Sequence, residues 1–383
     1  MLIADLVLFG LRAGREPFVS SWLAEVHSGL AQFSPSVFPY RGFALALLIG
    51  IASGWLFYKL RLPLPWMLGA MIFCTIAALA RLPVAASGVI RSPMSAIIGV
   101  MLGSGFSPAI IGQVPQWIVP LCGLVLFMLA CGVSVVWYFR KVGGYDWVTA
   151  FFSGMPGGLV EMVIYGEERG GDARIIALVH STRILMVVMT LPFLIQWSQG
   201  ISLDRAGGSG ASMFATPLIA ELWLIVCGFA GAFLGHILRL PAKTLLGCMI
   251  VSAAVHISGI SDFKPPYEIV NAAQLVLGVA IGCRFAGTAS GVLWKVLILS
   301  VGSTAILIFW MIAFAVAVSQ VSGFSVVTLI LAYSPGGLTE MALIAVALNA
   351  EVAFVAAFHI IRVFLTMIAA PLTFGWLGRG GKA

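Results

Sequence analysis

The sequence predicts an all-α polytopic integral membrane protein built from two homologous repeats. Of its 383 residues, 61 % are hydrophobic and only 9 % are charged, and the mean hydropathy is +1.08. Soluble domains are about half apolar and about a quarter charged. The apolar residues form runs of about 17 to 24, which as helices cross a hydrocarbon core about 30 Å thick. Alternating stretches of about ten residues, typical of outer-membrane barrels, are absent, so we expect a helical bundle of an inner membrane.

Charge and cysteine content argue against several other classes of protein. Lys and Arg number 21 against 14 Asp and Glu, and the sequence pI is about 9.3. Cytoplasmic loops of membrane proteins collect Lys and Arg, and no basic run with interleaved aromatic residues stands outside the apolar segments, so no nucleic-acid partner is predicted. The six cysteines lie in or beside apolar segments without a Cys-x-x-Cys pair. They predict neither disulfides nor a zinc site.

Residues 1–42 precede the first apolar span. They contain charged residues such as Arg12, Glu16 and Arg41, and they lack the basic start, apolar centre and cleavage site of a signal peptide. We expect an amphipathic arm on the membrane surface, with the amino terminus in the cytoplasm.

The rest of the chain is a duplication. A shift of 179 residues aligns the two halves without a gap over most of their length. The matched positions include Gly99/Gly278, Gly103/Gly282, Pro192/Pro371 and the block Pro156-Gly157-Gly158-Leu159 against Pro335-Gly336-Gly337-Leu338. This self-similarity predicts a first membrane repeat at 43–198, a linker at 199–220, a second repeat at 221–377 and a tail at 378–383.

Each half contains six apolar segments, so about 10 to 12 helices are expected. In the first half they are 43–59, 63–80, 93–111, 116–139, 147–166 and 174–197. If all six segments cross the membrane the halves share one orientation, and if one does not they are inverted. Suppose that the Pro-Gly-Gly segment enters and leaves the membrane on the same side and that the amino terminus is cytoplasmic. Of the 19 Lys and Arg outside segment interiors, 15 then lie on the cytoplasmic side and 4 on the opposite side. If all six segments cross, the same residues divide 11 to 8. The positive-inside rule therefore favours inverted repeats and leaves open which segment fails to cross.

The two Pro-Gly-Gly stretches are predicted to interrupt helices within the membrane. Proline lacks an N–H donor, and each glycine lowers helix stability by about 1 kcal/mol relative to alanine. The N–H groups that begin the following half-helix suit an anionic or polar ligand. Glu161 and Glu340 follow the last glycine at the same spacing, and intramembrane acids commonly carry protons or ions. The alternatives are a packing kink and a carboxylate that only complements the helix dipole.

His180-x-x-Arg183 and its copy His359-x-x-Arg362 place a histidine and an arginine on one helix face. An intramembrane arginine costs about 2.5 to 3.5 kcal/mol on insertion scales and needs an acid or an anionic ligand. Arg183 and Arg362 are therefore expected either to bind the ligand or to form ion pairs with the two glutamates. The histidines are candidates for a proton relay or for ordinary hydrogen-bond partners.

The candidate site residues fall into two groups. Substrate binding is assigned to Pro156, Gly157, Gly158, Arg183, Ser334, Pro335, Gly336, Gly337, Thr339 and Arg362. Coupling to a proton or another cation is assigned to Glu161, His180, Glu340 and His359. Neutral hydrogen-bonding residues of lower rank are Ser153, Thr182, Asn271 and Gln274. No catalytic residue, metal ligand or cofactor is predicted, because the five histidines include no His-x-His or His-x-x-x-His pair.

The block Ser153-Gly154-Met155-Pro156-Gly157-Gly158-Leu159, followed by Glu161-Met162, the His-x-x-Arg pair and the duplicated copy, resembles the AbrB family of bacterial membrane proteins. The likeness covers nearly the whole chain after the arm. It implies one of two labels, a regulator of gene expression or an ammonia monooxygenase. The scarcity of histidine ligands argues against an oxygen-activating enzyme. In the second copy Tyr333-Ser334 replaces Gly154-Met155, so the two copies of the motif are not strictly equivalent.

We expect a secondary active transporter that works by alternating access, because inverted halves with interrupted helices form sites near the membrane midplane. Its solute would be small and polar, either anionic or zwitterionic, and would move with a proton or a cation. The alternative is a membrane sensor or regulator of gene expression that binds a ligand without moving it. The expected partners are the lipid bilayer, the solute and the coupling ion, and a second copy of the chain is a further candidate.

Overall fold

The computed structural model describes residues 27–29, 31–34, 36–200, 211–287, 290–348 and 350–379. These residues form helices joined by short connections, and no strand occurs among them. Most of the predicted arm at 1–42, the centre of the predicted linker and the end of the predicted tail lie outside the described residues.

The helices of the first half follow one another with short connections. They are α1 Tyr40–Lys59, α2 Pro65–Leu79, α3 Gly88–Gly103, α4 Ile118–Lys141, α5 Trp147–Gly154, α6 Leu159–Glu167 and α7 Ala173–Gln199. A short helix and a 3₁₀ turn, Ile110–Gln113 and Val114–Trp117, lead into α4.

The second half repeats this order. Its helices are α8 Leu218–Ile237, α9 Lys243–Ile257, α10 Tyr267–Gly282, α11 Ser290–Ser322, α12 Val326–Tyr333, α13 Leu338–Ala347 and α14 Val352–Arg379. Apart from the longer α11, each begins 178 or 179 residues after its counterpart. The shift found in the sequence is therefore also the shift between helix starts.

Among the described residues, seven helical stretches are long and apolar enough to cross a membrane. They are Tyr40–Lys59, Val114–Lys141, Ala173–Gln199, Leu218–Ile237, Tyr267–Phe285, Trp294–Ser322 and Val352–Trp376. Within an apolar 18-residue window of α7, 67 % of residues are buried, against 22 % within such a window of α8. Helix α7 therefore lies in the interior, whereas α8 turns most of its apolar residues outward, as is typical of a helix that faces lipid. The chain is a multi-pass helical membrane protein, as predicted.

The six predicted segments of the first half are all helical, but the third has different bounds. The sequence predicts 93–111, whereas α3 runs over Gly88–Gly103. Ser87 begins it, and its side chain accepts a hydrogen bond from the N–H of Val89. The first turns carry polar residues, including Arg91. A search for apolar residues therefore starts the helix too late and leaves Arg91 in a loop.

Repeated glycines mark places where helices from different halves pack backbone against backbone. A β-carbon on Gly99 or Gly103 of α3 would collide with the carbonyl oxygens of Leu245 and Met249 on α9. The equivalent glycines of α10 pack in the same way against α2. Small residues permit such close approach between membrane helices. Because the residue numbers rise together along both helices, α3 and α9 run parallel.

Helices α4 and α11, which are counterparts in the two halves, pack against each other in opposite directions. Early in α4, Gly123 lies against Val318 near the end of α11. Further along α4, Ser134 Oγ accepts a hydrogen bond of 3.0 Å from Nε1 of Trp310. The residue number rises on one helix while it falls on the other, so this pair of counterparts is antiparallel.

Replacing Gly99 with alanine should destabilise the protein, because the added methyl group meets the α9 backbone and overpacking typically costs about 1–3 kcal/mol. The matched control is Gly228→Ala on α8, where nothing lies within 4 Å of the added carbon and alanine is the better helix former by about 1 kcal/mol. Thermal unfolding of the purified protein in detergent measures both variants. Equal melting temperatures would contradict the close packing.

Candidate functional site

Both Pro-Gly-Gly stretches interrupt a helix, as predicted. Helix α5 ends at Gly154 and α6 begins after an extended Gly158. Helix α12 ends at Tyr333 and α13 begins after an extended Gly337. Each break therefore presents carbonyl groups at the end of one half-helix and N–H groups at the start of the next.

In the first half the carbonyl groups of the break are bound by the arginine of α7. Arg183 Nη1 donates to the carbonyl oxygen of Met155 at 3.0 Å, and Nη2 donates to that of Gly157 at 3.2 Å. Nη2 also lies 2.9 Å from Nδ1 of His180. The other ring nitrogen of His180, Nε2, lies 2.8 Å from the carbonyl oxygen of Phe152 in α5. Arginine and histidine together tie α7 to the end of α5.

The second half repeats this network residue for residue. Arg362 Nη1 donates to the carbonyl oxygen of Ser334, and Nη2 donates to that of Gly336 at 3.2 Å. Nη2 lies 3.0 Å from Nδ1 of His359, whose Nε2 lies 2.9 Å from the carbonyl oxygen of Leu331. Every partner is displaced by 179 residues from its counterpart.

These contacts fix the chemistry of the two arginine–histidine pairs. A histidine that donates from Nε2 to a carbonyl and accepts at Nδ1 from an arginine is neutral. The guanidinium group lies at the carboxyl end of a half-helix, where the helix dipole stabilises a cation. Within the described residues, the one ion pair closer than 4 Å joins Arg169 to Glu168 at 3.8 Å. The ion pairs considered for the intramembrane arginines and glutamates are therefore not formed.

Glu161 and Glu340 occupy the first turns of α6 and α13. Each carboxylate folds back onto the glycine before its helix, since a β-carbon on Gly158 or Gly337 would collide with it. The positive end of a helix stabilises a carboxylate at this position. Glu161 is partly exposed, whereas Glu340 is only 5 % exposed.

The two breaks meet in one cavity of about 500 Å³. Its walls include the candidate residues Gly157, Gly158, Glu161, Arg183, Pro335, Gly336, Gly337, Thr339, Glu340, His359 and Arg362. The candidates that do not line it are Pro156, His180 and Ser334, all of them buried, together with the lower-ranked Ser153, Thr182, Asn271 and Gln274. The cavity thus gathers most of the repeated residues from both halves.

Three further cations line this cavity, and the repeat comparison misses them. They are Arg91, Lys243 and Arg284. By the shift of 179 residues, Arg91 corresponds to Val270 and Gly105 corresponds to Arg284, so neither arginine is duplicated. Their one signal in the sequence is a charge at the edge of an apolar run. Throughout the described part of the chain, no three His, Cys, Asp or Glu residues cluster as a metal site requires.

Gly158→Ala should lower the stability of the protein by about 1 kcal/mol or less, because the new methyl group displaces the flexible end of Glu161 from the start of α6, where its carboxylate complements the helix dipole. The double variant Gly158→Ala/Glu161→Ala should be about as stable as Glu161→Ala alone, since both single changes remove the same interaction. Melting temperatures of the two single variants and the double variant form a double-mutant cycle. Purely additive losses would mean that the carboxylate does not occupy this position.

Comparison with known proteins identifies relatives that span most of the chain. The family model described as "Transition state regulatory protein AbrB" matches residues 66–378. The chain is 28 % identical over 348 residues to "Uncharacterized protein YhjN" of Bacillus subtilis strain 168, covering 84 % of this chain and 90 % of that protein. It is 24 % identical over 332 residues to "Putative regulator AbrB" of Escherichia coli strain K12, covering 85 % and 92 %. This multi-pass membrane protein belongs to the AbrB family.

Proposed function

We propose that this protein is a secondary active transporter of a small polar solute, anionic or zwitterionic, coupled to a proton or another cation. The observation that carries the proposal is the meeting of two interrupted helices in one cavity. Both half-helices, α6 and α13, begin at this cavity with their N–H groups and a first-turn glutamate. Secondary transporters commonly bind their solutes at such paired breaks. We assign the protein to the inner membrane with its amino terminus in the cytoplasm.

The packing of counterpart helices supports inverted repeats. If one axis relates the two copies, antiparallel counterparts such as α4 and α11 require that axis to lie across the helices, in the plane of the membrane. Short connections agree with this arrangement. Only eight residues, 80–87, separate α2 from α3, so α3 returns across the membrane in the opposite direction. The parallel pair of α3 with α9 then makes α9 antiparallel to its counterpart α2.

A second cavity supports alternating access. The cavity at the breaks touches the amino end of α3 near Ser92 and Ser95, and another of about 350 Å³ touches its carboxyl end near Ser104. Helix α13 contributes its first residues to the first cavity and Val346 to the second. Between them, residues 341–345 are fully buried. This stretch of α13 is our proposed barrier between the site and the opposite face.

The internal repeat indicates how the second open state is built. The counterparts of Ser92 and Ser95 are Asn271 and Gln274 on α10, and both lie away from the cavity. If the halves exchange conformations, these two amides line the cavity when it opens to the other face. This gives the lower-ranked residues Asn271 and Gln274 a place in the proposed cycle.

We assign coupling to the two glutamates rather than to the histidines. His180 and His359 use both ring nitrogens to hold an arginine and a helix end, so they are better suited to positioning. Glu161 and Glu340 line the cavity without an ion pair within 4 Å among the described residues. A carboxylate in such a place is costly inside a membrane and readily exchanges a proton or binds a cation.

Glu340→Gln should abolish uptake driven by a pH gradient, because glutamine keeps the shape of the side chain and cannot release a proton. The measurement uses proteoliposomes and a solute first identified by thermal stabilisation of the purified protein. The control is Glu168→Gln, an exposed glutamate paired with Arg169, which should transport normally. Unchanged pH-driven uptake by Glu340→Gln and by Glu161→Gln would contradict the coupling role.

The second candidate function is a membrane sensor or regulator of gene expression that uses the same cavity. The description of the matching family and the name of the Escherichia coli relative favour it. This reading predicts ligand binding without flux. Altered gene expression in a deletion strain does not separate the two candidates, because loss of a transporter also changes expression. Flux of a bound solute in proteoliposomes does.

A further inference from the structure

We propose that Arg91 and Arg284 form the anion-binding pair of the cavity and that the solute is a small dianion bearing carboxylate or phosphate groups. This inference rests on the proposed function, since it names the substrate class for the same cavity. In this proposal Arg183 and Arg362 hold the helix breaks in place, whereas Arg91 and Arg284 bind the solute.

The repeated arginines already have partners. Arg183 and Arg362 each donate to carbonyl groups of a break and to a histidine. Arg91 and Arg284 also line the cavity, but neither donates from its side chain to a protein acceptor or pairs with an acid within the described residues. Guanidinium groups bind carboxylates and phosphates through two parallel hydrogen bonds. The pair without protein acceptors is therefore suited to the solute.

The charge of the cavity walls favours a dianion over a zwitterion. Among the described residues, four arginines line the cavity, Arg91, Arg183, Arg284 and Arg362, against two acidic residues, Glu161 and Glu340. The charges of Arg91 and Arg284 act on each other as well as on Glu340. Two like charges facing one cavity repel each other, and solvent weakens the repulsion here because Arg91 is exposed. A zwitterion adds no net charge, whereas a dianion offsets this excess of two positive charges.

Unpartnered donors deep in the wall point to the same ligand chemistry. The Nε–H groups of Arg183 and Arg362 are buried and have no hydrogen-bond acceptor, and these residues are 3 % and 5 % exposed. The half-helices α6 and α13 also begin without a capping side chain, because Gly158 and Gly337 precede them. An anion between the breaks would accept hydrogen bonds from the N–H groups that begin the two half-helices.

The test measures thermal stabilisation of the full purified chain in detergent, at constant ionic strength and near neutral pH. The probes are succinate and inorganic phosphate as dianions, acetate as a monoanion and glycine as a zwitterion. We expect succinate or phosphate to raise the melting temperature and acetate and glycine to leave it unchanged. Whichever dianion acts tells whether the group recognised is a carboxylate or a phosphate.

Variants then locate the binding. Arg91→Gln and Arg284→Gln should each weaken the apparent affinity for the active dianion about tenfold or more. The matched control Arg174→Gln removes an exposed arginine of α7 outside the cavity and should change nothing. Arg91→Lys and Arg284→Lys keep the charge without the paired donors, so they should fold and bind with intermediate affinity.

Three outcomes would contradict the assignment of Arg91 and Arg284 as the anion-binding pair. These are equal stabilisation by acetate or glycine, no stabilisation by either dianion, and unchanged dianion affinity in the glutamine variants.

Transport assays in proteoliposomes distinguish this proposal from the proposed transporter function. If a dianion binds through Arg91 and Arg284 but does not cross the membrane, the result contradicts the transporter function and supports the binding pair. If a solute is taken up independently of these arginines, the result contradicts the binding pair and supports the transporter function.

Discussion

The structure depends on completing the hydrogen bonds of two backbone breaks inside a bundle of membrane helices. An unsatisfied carbonyl or N–H group in hydrocarbon costs several kcal/mol, so irregular backbone is tolerated there only when protein or trapped water binds it. Arg183 and Arg362 bind the carbonyl side of each break, and each is held by a histidine one turn earlier on the same helix. The N–H side remains directed to the cavity. Because protein binds the carbonyl groups and not the N–H groups, a polar site remains in a largely apolar chain.

Much of the fold follows from residue patterns, because hydrophobic length and the internal repeat both act on whole segments. Five of the six segments of the first half and the two helix interruptions are present where the sequence predicts them. The third segment was misplaced, since a serine cap and polar first turns carry no apolar signal. The histidine–arginine spacing predicted a shared helix face. For Arg183 the acceptors are backbone carbonyls 26 and 28 residues earlier in the chain. Because every residue has a carbonyl group, residue type could not identify these acceptors.

The residues of the cavity separate into repeated and unique sets with different physical tasks. The repeated set, built around Pro-Gly-Gly, Glu and His-x-x-Arg, makes two equivalent helix breaks. A mechanism that exchanges conformations between halves needs this equivalence, because both states must then have similar energies. Arg91 and Arg284 have no counterparts, so they do not exchange in this way. The internal repeat identifies the first set but not the second, although the second set gives the cavity its net positive charge.

The charges near Glu340 also favour a direction for the proposed coupling. Protonation of Glu340 removes a negative charge from a wall that it shares with Arg91 and Arg284, and so it strengthens the attraction of the cavity for an anion. By thermodynamic linkage, a bound anion then strengthens the binding of the proton by the same factor. Proton and anion thus favour joint occupancy of one site. Under the proposed function this arrangement corresponds to movement of both in the same direction, since an exchanger needs the two to compete.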